Sequence, residues 1–161
     1  MRAALGTAVF FVLAPGVMGG LVPWMITGWD VPGDHPRWAV GLGLTIAVAG
    51  AVLVVTCFAR FVTEGRGTPA PVAPTDELVV GGIYRYVRNP MYVGVGGAIL
   101  GQAIAFASLG AALWFTIFMV TVWSFAHWYE EPTLTEQFGD SYTRYRANVP
   151  GWWPRATPWR G

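Results

Sequence analysis

The sequence predicts an all-α, multi-pass membrane bundle with about four transmembrane helices and a cytoplasmic C-terminal helix. Three observations lead there. Apolar residues make up 54% of the chain and charged residues only 12%, against about 25% charged in soluble domains. The mean hydropathy is +0.46. The apolar residues also gather into runs of the length a helix needs to cross a bilayer, roughly 20 residues. At 161 residues a single domain, 1–161, is expected. The net charge of +1 gives no ground for nucleic-acid binding.

The first span is expected from Ala3 to Ile26, kinked at Pro15 and Gly16. Arg2 ahead of this run imitates a signal peptide, but the run is too long and lacks a clear small-residue cleavage site. The second span, Ala39 to Val62, carries Arg60 near its end, placed to snorkel, and Cys57, read as a small core residue. Residues 1–62 therefore supply two spans. Residues 63–90 form a connecting loop. Its segment Glu64 to Pro74 is rich in glycine and proline and reads as a solvated loop or a backbone lid; Gly65-x-Gly67 alone is a weak phosphate signal. Asp76 to Gly82 reads as extended. Met91 to Ala107 is a third, short, glycine-rich span and Ala111 to Trp128 a fourth. Only Ser108-Leu109-Gly110 separates them, so 91–128 is an antiparallel hairpin. Residues 129–161 hold the Glu130-Glu131 pair, a C-terminal helix and a tail.

Orientation follows from arginine, the only strongly basic residue type present. The loop Thr27 to Trp38 carries only Arg37, and Ser108 to Gly110 carries none. The other nine arginines fall on the opposite side, which places both termini in the cytoplasm, with a bacterial inner membrane as the expected location. Trp24, Trp29 and Trp38 mark one interface; Trp128, Trp152, Trp153 and Trp159 mark the other.

Two polar islands interrupt this pattern. Gly82-Ile83-Tyr84-Arg85-Tyr86-Val87-Arg88-Asn89-Pro90-Met91-Tyr92 abuts the third span, and His127-Trp128-Tyr129-Glu130-Glu131 follows the fourth. Charge at the mouth of a membrane helix costs free energy unless it has a function or reaches water. Islands at the ends of adjacent spans suggest one site built from both. Each also has a plain structural reading. Arg85 and Arg88 can anchor lipid phosphates, Glu130-Glu131 can be a solvated helix end before Pro132, and His127 an interfacial histidine. Tyr142 and Tyr145 are expected to pack the C-terminal helix on the membrane face, with Asp140, Arg144 and Arg146 on its solvated side. Gln102 either lines a polar cavity or bonds a neighbouring helix.

The first island, Gly82-x-Tyr84-x-x-x-Arg88-Asn89-Pro90-x-Tyr92-x-Gly94, resembles the Arg-His/Asn-Pro-x-Tyr-x-Gly signature of the isoprenylcysteine carboxyl methyltransferases, which are similar to the phospholipid N-methyltransferases. Glu130-Glu131-x-x-Leu134-x-x-x-Phe138-Gly139-x-x-Tyr142-x-x-Tyr145-x-x-x-Val149-Pro150 resembles that family's paired glutamates and following helix. The resemblance covers about Asp76 to Pro150. It implies a membrane methyltransferase that uses S-adenosylmethionine and lacks the Rossmann-like fold of soluble methyltransferases. Carried over residue by residue, it implies cofactor contacts at Asp76, Glu77, Leu78, Val79, Tyr84, Asn89, Pro90, Met91, Tyr92 and Glu130. Catalytic roles fall to Glu130, Glu131, Arg88 and His127, and no metal is implied. A lipid or other lipophilic acceptor is the expected partner.

Two departures bear on the chemistry. Asn89 stands where many members have histidine; it hydrogen-bonds but does not ionise near neutrality. Prenylcysteine enzymes carry an arginine one turn before the paired glutamates, serving the substrate carboxylate; Ala126 stands there, with His127 beside it. That argues against a prenylcysteine acceptor. Sterol reductases, which bind NADPH, share a similar block but have an aspartate after its glycine, where this chain has Val95. A non-catalytic membrane scaffold or sensor is the third reading.

Overall fold

The computed structural model describes residues 12–63 and 78–161. The start of the first expected span, the glycine- and proline-rich loop, Asp76 and Glu77 lie outside the described residues. Within them the chain is helical, with no strand. In order come α1 (Val12–Leu21), α2 (Val22–Thr27), α3 (Arg37–Thr63), a 3-10 turn (Gly82–Arg85), α4 (Pro90–Ala105), α5 (Leu109–Phe125), a π turn (Ala126–Glu130), α6 (Glu131–Phe138) and α7 (Asp140–Asn148).

Local chemistry sets these boundaries. Pro15 lies inside α1, which is wound as a π-helix; a proline offers no amide to the regular ladder. Gly28, at φ 59°, ends α2 by returning its amide to the Trp24 carbonyl. Pro90 opens α4, where its missing N–H costs nothing. The Ser108 hydroxyl caps α5 by accepting from the Ala111 amide at 3.2 Å. The last helix of the hairpin therefore starts at Leu109 rather than Ala111, and the expected loop shrinks to a turn at Ala107, whose φ is 47°.

Among the described residues two helical stretches are long and apolar enough to cross a membrane, Arg37–Arg60 and the rod Leu109–Phe138. Helix α4 has 16 residues, about 24 Å at 1.5 Å per residue, short of the roughly 30 Å hydrocarbon core. The rod runs α5, π turn and α6 together without a break. The glutamate pair thus sits within a continuous helix, not at a solvated helix end, the plain structural alternative its position left open.

Helix α4 lies at the centre. Glycines bring it against α3: a Cβ added at Gly50 would come under 3.0 Å from backbone atoms of Gly94 and Ala98, and one at Gly43 equally close to Gly101 and Ala105. Small residues at such crossings let backbones meet where lipid gives no hydrophobic drive to association. Val54, Phe58, Val95, Ile99 and Phe118 form the buried core between α3, α4 and α5. Gln102, within α4, accepts from the Trp29 indole at 3.0 Å and donates to the Gly19 carbonyl at 2.7 Å, tying α1 and the following turn to α4. It bonds a neighbouring helix, one of the two alternatives its position left open.

A second cluster joins α6, α7 and the segment before α4: Tyr142, Tyr145 and Val149 are buried against Leu78, Val80, Leu134, Phe138 and Trp159. The tail then folds back on the 85–89 segment. The amides of Arg88 and Asn89 donate to the carbonyls of Pro150 and Gly151, and those of Arg155 and Trp159 to the carbonyls of Tyr86 and Arg85.

Candidate functional site

A cavity of about 190 Å³ opens where the two polar islands meet. Leu78, Val79, Tyr84, Arg88, Asn89, Pro90, Met91 and Tyr92 line one side, and Glu130, Leu134, Phe138, Tyr142 and Tyr145 the other. The N-terminus of α4 and the π turn converge here because the α4–α5 hairpin returns the chain antiparallel. The 3-10 turn is held on by the Tyr145 hydroxyl, which donates to the Tyr84 carbonyl at 2.7 Å. Burial raises the phenols of Tyr84, Tyr142 and Tyr145 above their ordinary range, so they remain proton donors at neutral pH.

The two glutamates have different surroundings. Glu130 borders the cavity, and its Oε1 accepts from the Tyr92 hydroxyl at 2.8 Å. Glu131 turns away from it and is 8% exposed. Its Oε1 accepts from Arg88 Nη1 at 2.7 Å and its Oε2 from Arg146 at 2.8 Å, with His127 Nδ1 3.7 Å from Oε2. One buried carboxylate therefore binds two guanidinium groups, an arrangement strengthened by charge on both sides.

Arg88 is largely committed. Besides Glu131 it donates Nε to the Val149 carbonyl at 2.9 Å and Nη1 to the Tyr142 hydroxyl at 3.2 Å. Arg85 donates Nε to the Trp159 carbonyl at 2.6 Å. His127 does not line the cavity; it is half-exposed and stacked on Trp123, with centroids 5.3 Å apart at 13°.

Asn89 stands apart. It precedes α4 at the cap position, yet its side chain makes no cap hydrogen bond. Its Nδ2 is buried with no hydrogen-bond partner. Buried amides are satisfied as a rule, so an unpaired donor on a cavity wall suits a ligand that brings an acceptor.

A second cavity of about 260 Å³, almost wholly apolar, adjoins the first. It is enclosed by α1, α4 and α5, including Pro15, Met18, Trp114, Phe118 and Val122, and shares Met91 and Tyr92 with the polar cavity. The Tyr92 ring is stacked on Trp152 of the tail, centroids 6.2 Å apart at 23°.

All the described residues that the family resemblance associates with a cofactor border the polar cavity; Glu131 and His127 do not. The site also contains residues that sequence reasoning put elsewhere. Tyr142 and Tyr145 are 3% exposed and face the cavity rather than the membrane. Their phenols find partners in Arg88 and the Tyr84 carbonyl, which draws α7 over the site. Arg146 is exposed, as its place on the solvated side of α7 predicts, and also pairs with Glu131. Leu134 and Phe138, four apart on one face of α6, complete the wall. That spacing, together with their place in the second family signature, is the signal in the sequence that could have placed them.

Comparison with known proteins agrees with the geometry. A protein-S-isoprenylcysteine O-methyltransferase of Schizosaccharomyces pombe is 40% identical over 73 residues, which is 45% of this chain and 31% of that protein. The chain thus matches under a third of that relative's length. The model of the family described as phospholipid methyltransferase matches residues 38–141. That match takes in α3, both polar islands and the hairpin between them, and the chain belongs to the phospholipid methyltransferase family.

Proposed function

We propose that the protein transfers a methyl group from S-adenosylmethionine to a lipophilic acceptor at the membrane. The observation that carries this is the pair of adjoining cavities, one polar and one apolar, with Met91 and Tyr92 as their common wall. The cofactor supplies an electrophilic methyl on a cationic sulfonium. The residues present suit such a group. Glu130 offers a carboxylate to the ammonium of its amino acid head, and Asn89 Nδ2 an unpaired donor. Tyr84 and Tyr92 offer aromatic faces to a cation, worth about 0.5–2 kcal/mol. Leu78 and Val79 cover the adenine face, and Pro90 and Met91 close the wall between donor and acceptor. Asp76 and Glu77, which the resemblance also links to the cofactor, lie outside the described residues. Arg88 supplies positive charge on the cavity wall, Glu131 holds it in place, and His127 enters only through its approach to Glu131.

The acceptor's tail takes the apolar cavity, reached laterally from the bilayer. In this reading the chain spans the membrane four times, with α4 as the short span, and the site and both termini face the cytoplasm of a bacterial inner membrane. The methylated atom is a carboxylate, amine or other heteroatom. A prenylcysteine is disfavoured: Ala126 offers no cation, and Arg85 and Arg88 already donate to Trp159, Val149, Glu131 and Tyr142. A carboxylate at the membrane edge is costly to desolvate without a partner.

Calorimetric titration with S-adenosylhomocysteine and with NADPH tests the cofactor. Binding of the former is expected, weakened by about 1.5–3 kcal/mol in Glu130→Ala if the carboxylate makes a charge-assisted hydrogen bond. Binding of NADPH alone would replace this reading with a reductase, and binding of neither with a scaffold.

A further inference from the structure

We propose that Tyr92 and Glu130 form a proton relay out of the apolar cavity, and that the acceptor is a lipid-tailed phenol or thiol whose heteroatom must lose a proton during methylation. The inference rests on the methyl-transfer reading above.

The geometry is specific. Tyr92 lines both cavities, whereas Glu130 lines only the polar one. The phenol hydroxyl donates to Glu130 Oε1 at 2.8 Å, within the reach required for proton transfer. The Tyr92 ring is fixed from behind by Trp152. An acceptor whose tail fills the apolar cavity has its heteroatom at the shared wall, because Met91 and Tyr92 are where the cavities meet. Among its other described lining residues the polar groups are the Thr121 hydroxyl, which donates to the Ile117 carbonyl at 2.8 Å, and the Trp114 indole, which donates to the Met18 carbonyl at 3.0 Å, so both are already committed. A proton released there has Tyr92 as its outlet.

The step balances. The acceptor's lone pair forms the new bond to the methyl carbon, and the old carbon–sulfur bond breaks with its electron pair remaining on sulfur. The acceptor's proton passes to Tyr92 Oη as the Tyr92 proton passes to Glu130 Oε1. Tyrosine ends neutral and Glu130 protonated, and Glu130 later loses that proton to water through the open polar cavity. A carboxylate acceptor, already ionised, has no use for this path.

The test compares two acceptors of nearly equal shape: para-dodecylphenol, which must lose a proton, and its ortho-nitro derivative, ionised under mildly alkaline assay conditions. Methyl transfer is measured at saturating S-adenosylmethionine, with S-adenosylhomocysteine affinity titrated on each variant to confirm a folded site. General acid–base catalysis contributes about 10²–10⁴-fold. Tyr92→Phe and Glu130→Gln are therefore expected to lower turnover of the plain phenol at least about tenfold more than that of the nitrophenol. A binding readout accompanies it. Bound to S-adenosylhomocysteine, the wild-type protein prefers para-dodecylphenol over its methyl ether several-fold, and Tyr92→Phe loses that preference. Equal losses for the two phenols, or a phenol preference that survives Tyr92→Phe, would overturn the relay and leave Tyr92 a wall. So would a wild-type protein that binds S-adenosylhomocysteine but methylates neither phenol. Failure of the wild type to bind S-adenosylhomocysteine would instead overturn the methyl-transfer reading beneath it.

Discussion

Replacing Glu131 by alanine should be the most damaging single change near the site that leaves the cavity lining intact. The carboxylate holds Arg88, whose side chain is 13% exposed, and Arg146, which is 46% exposed. Removing one partner of a buried ion pair costs about 3–5 kcal/mol, because the remaining charge stays desolvated. That range must be reduced here. Arg88 keeps the Val149 carbonyl and the Tyr142 hydroxyl, and Arg146 can turn to water. About 2–4 kcal/mol remains. For a protein of this size, 1 kcal/mol moves Tm by about 2–4 °C, so Glu131→Ala should melt roughly 4–16 °C below wild type in detergent. Arg146→Ala should cost at most about 1 kcal/mol, since its half-exposed pair is screened by solvent. The double variant Arg88→Leu/Glu131→Leu should be less destabilised than Glu131→Ala, because no buried charge is then left unpaired. Matched thermal melts of the three variants decide it. Equal Tm losses in Glu131→Ala and Arg146→Ala, or a double variant worse than the single, would show that the buried pair is not what holds this corner together.

Two further outcomes follow from the same contacts. Gly50→Leu should block assembly of α3 on α4 and abolish recovery of folded protein, whereas Gly41→Leu, with nothing within 4 Å of its added Cβ, should be recovered normally; comparable yields of monodisperse protein would refute the close crossing. Because burial raises the Tyr84, Tyr142 and Tyr145 phenols, the native state retains protons that the unfolded chain releases above about pH 10. Their contribution is therefore full below that pH and declines above it; melting profiles between neutrality and strong alkali should fall only beyond it, and more gently in Tyr145→Phe.

What the sequence reveals here depends on how far apart the interacting residues lie. Apolar run length and the Ser108–Gly110 interruption are local signals, and they place the start of the hairpin and both sides of its turn to within two residues. The polar islands are legible because charge beside an apolar run is conspicuous wherever it falls. Yet adjacency in sequence misleads at Glu130-Glu131. On a helix, neighbours point about 100° apart, and the two glutamates meet at a junction, Glu130 ending the π turn and Glu131 opening α6. One carboxylate therefore meets Tyr92 in the cavity and the other meets Arg88 and Arg146 behind it. Tyr142 and Tyr145 mislead for a related reason. In isolation α7 reads as a short polar helix with one aromatic side, fit to lie on a membrane. Its partners are Tyr84 and Arg88, more than fifty positions upstream, and only the closing of the hairpin brings them within reach. The tail follows the same logic. Its four amide–carbonyl bonds to the 85–89 segment involve main-chain atoms alone, so no side chain announces them, and Trp152 reads as an interface marker until those bonds set its ring against Tyr92. The relay's alignment depends on that tail, whose main-chain bonds set Trp152 against the ring that lines both cavities.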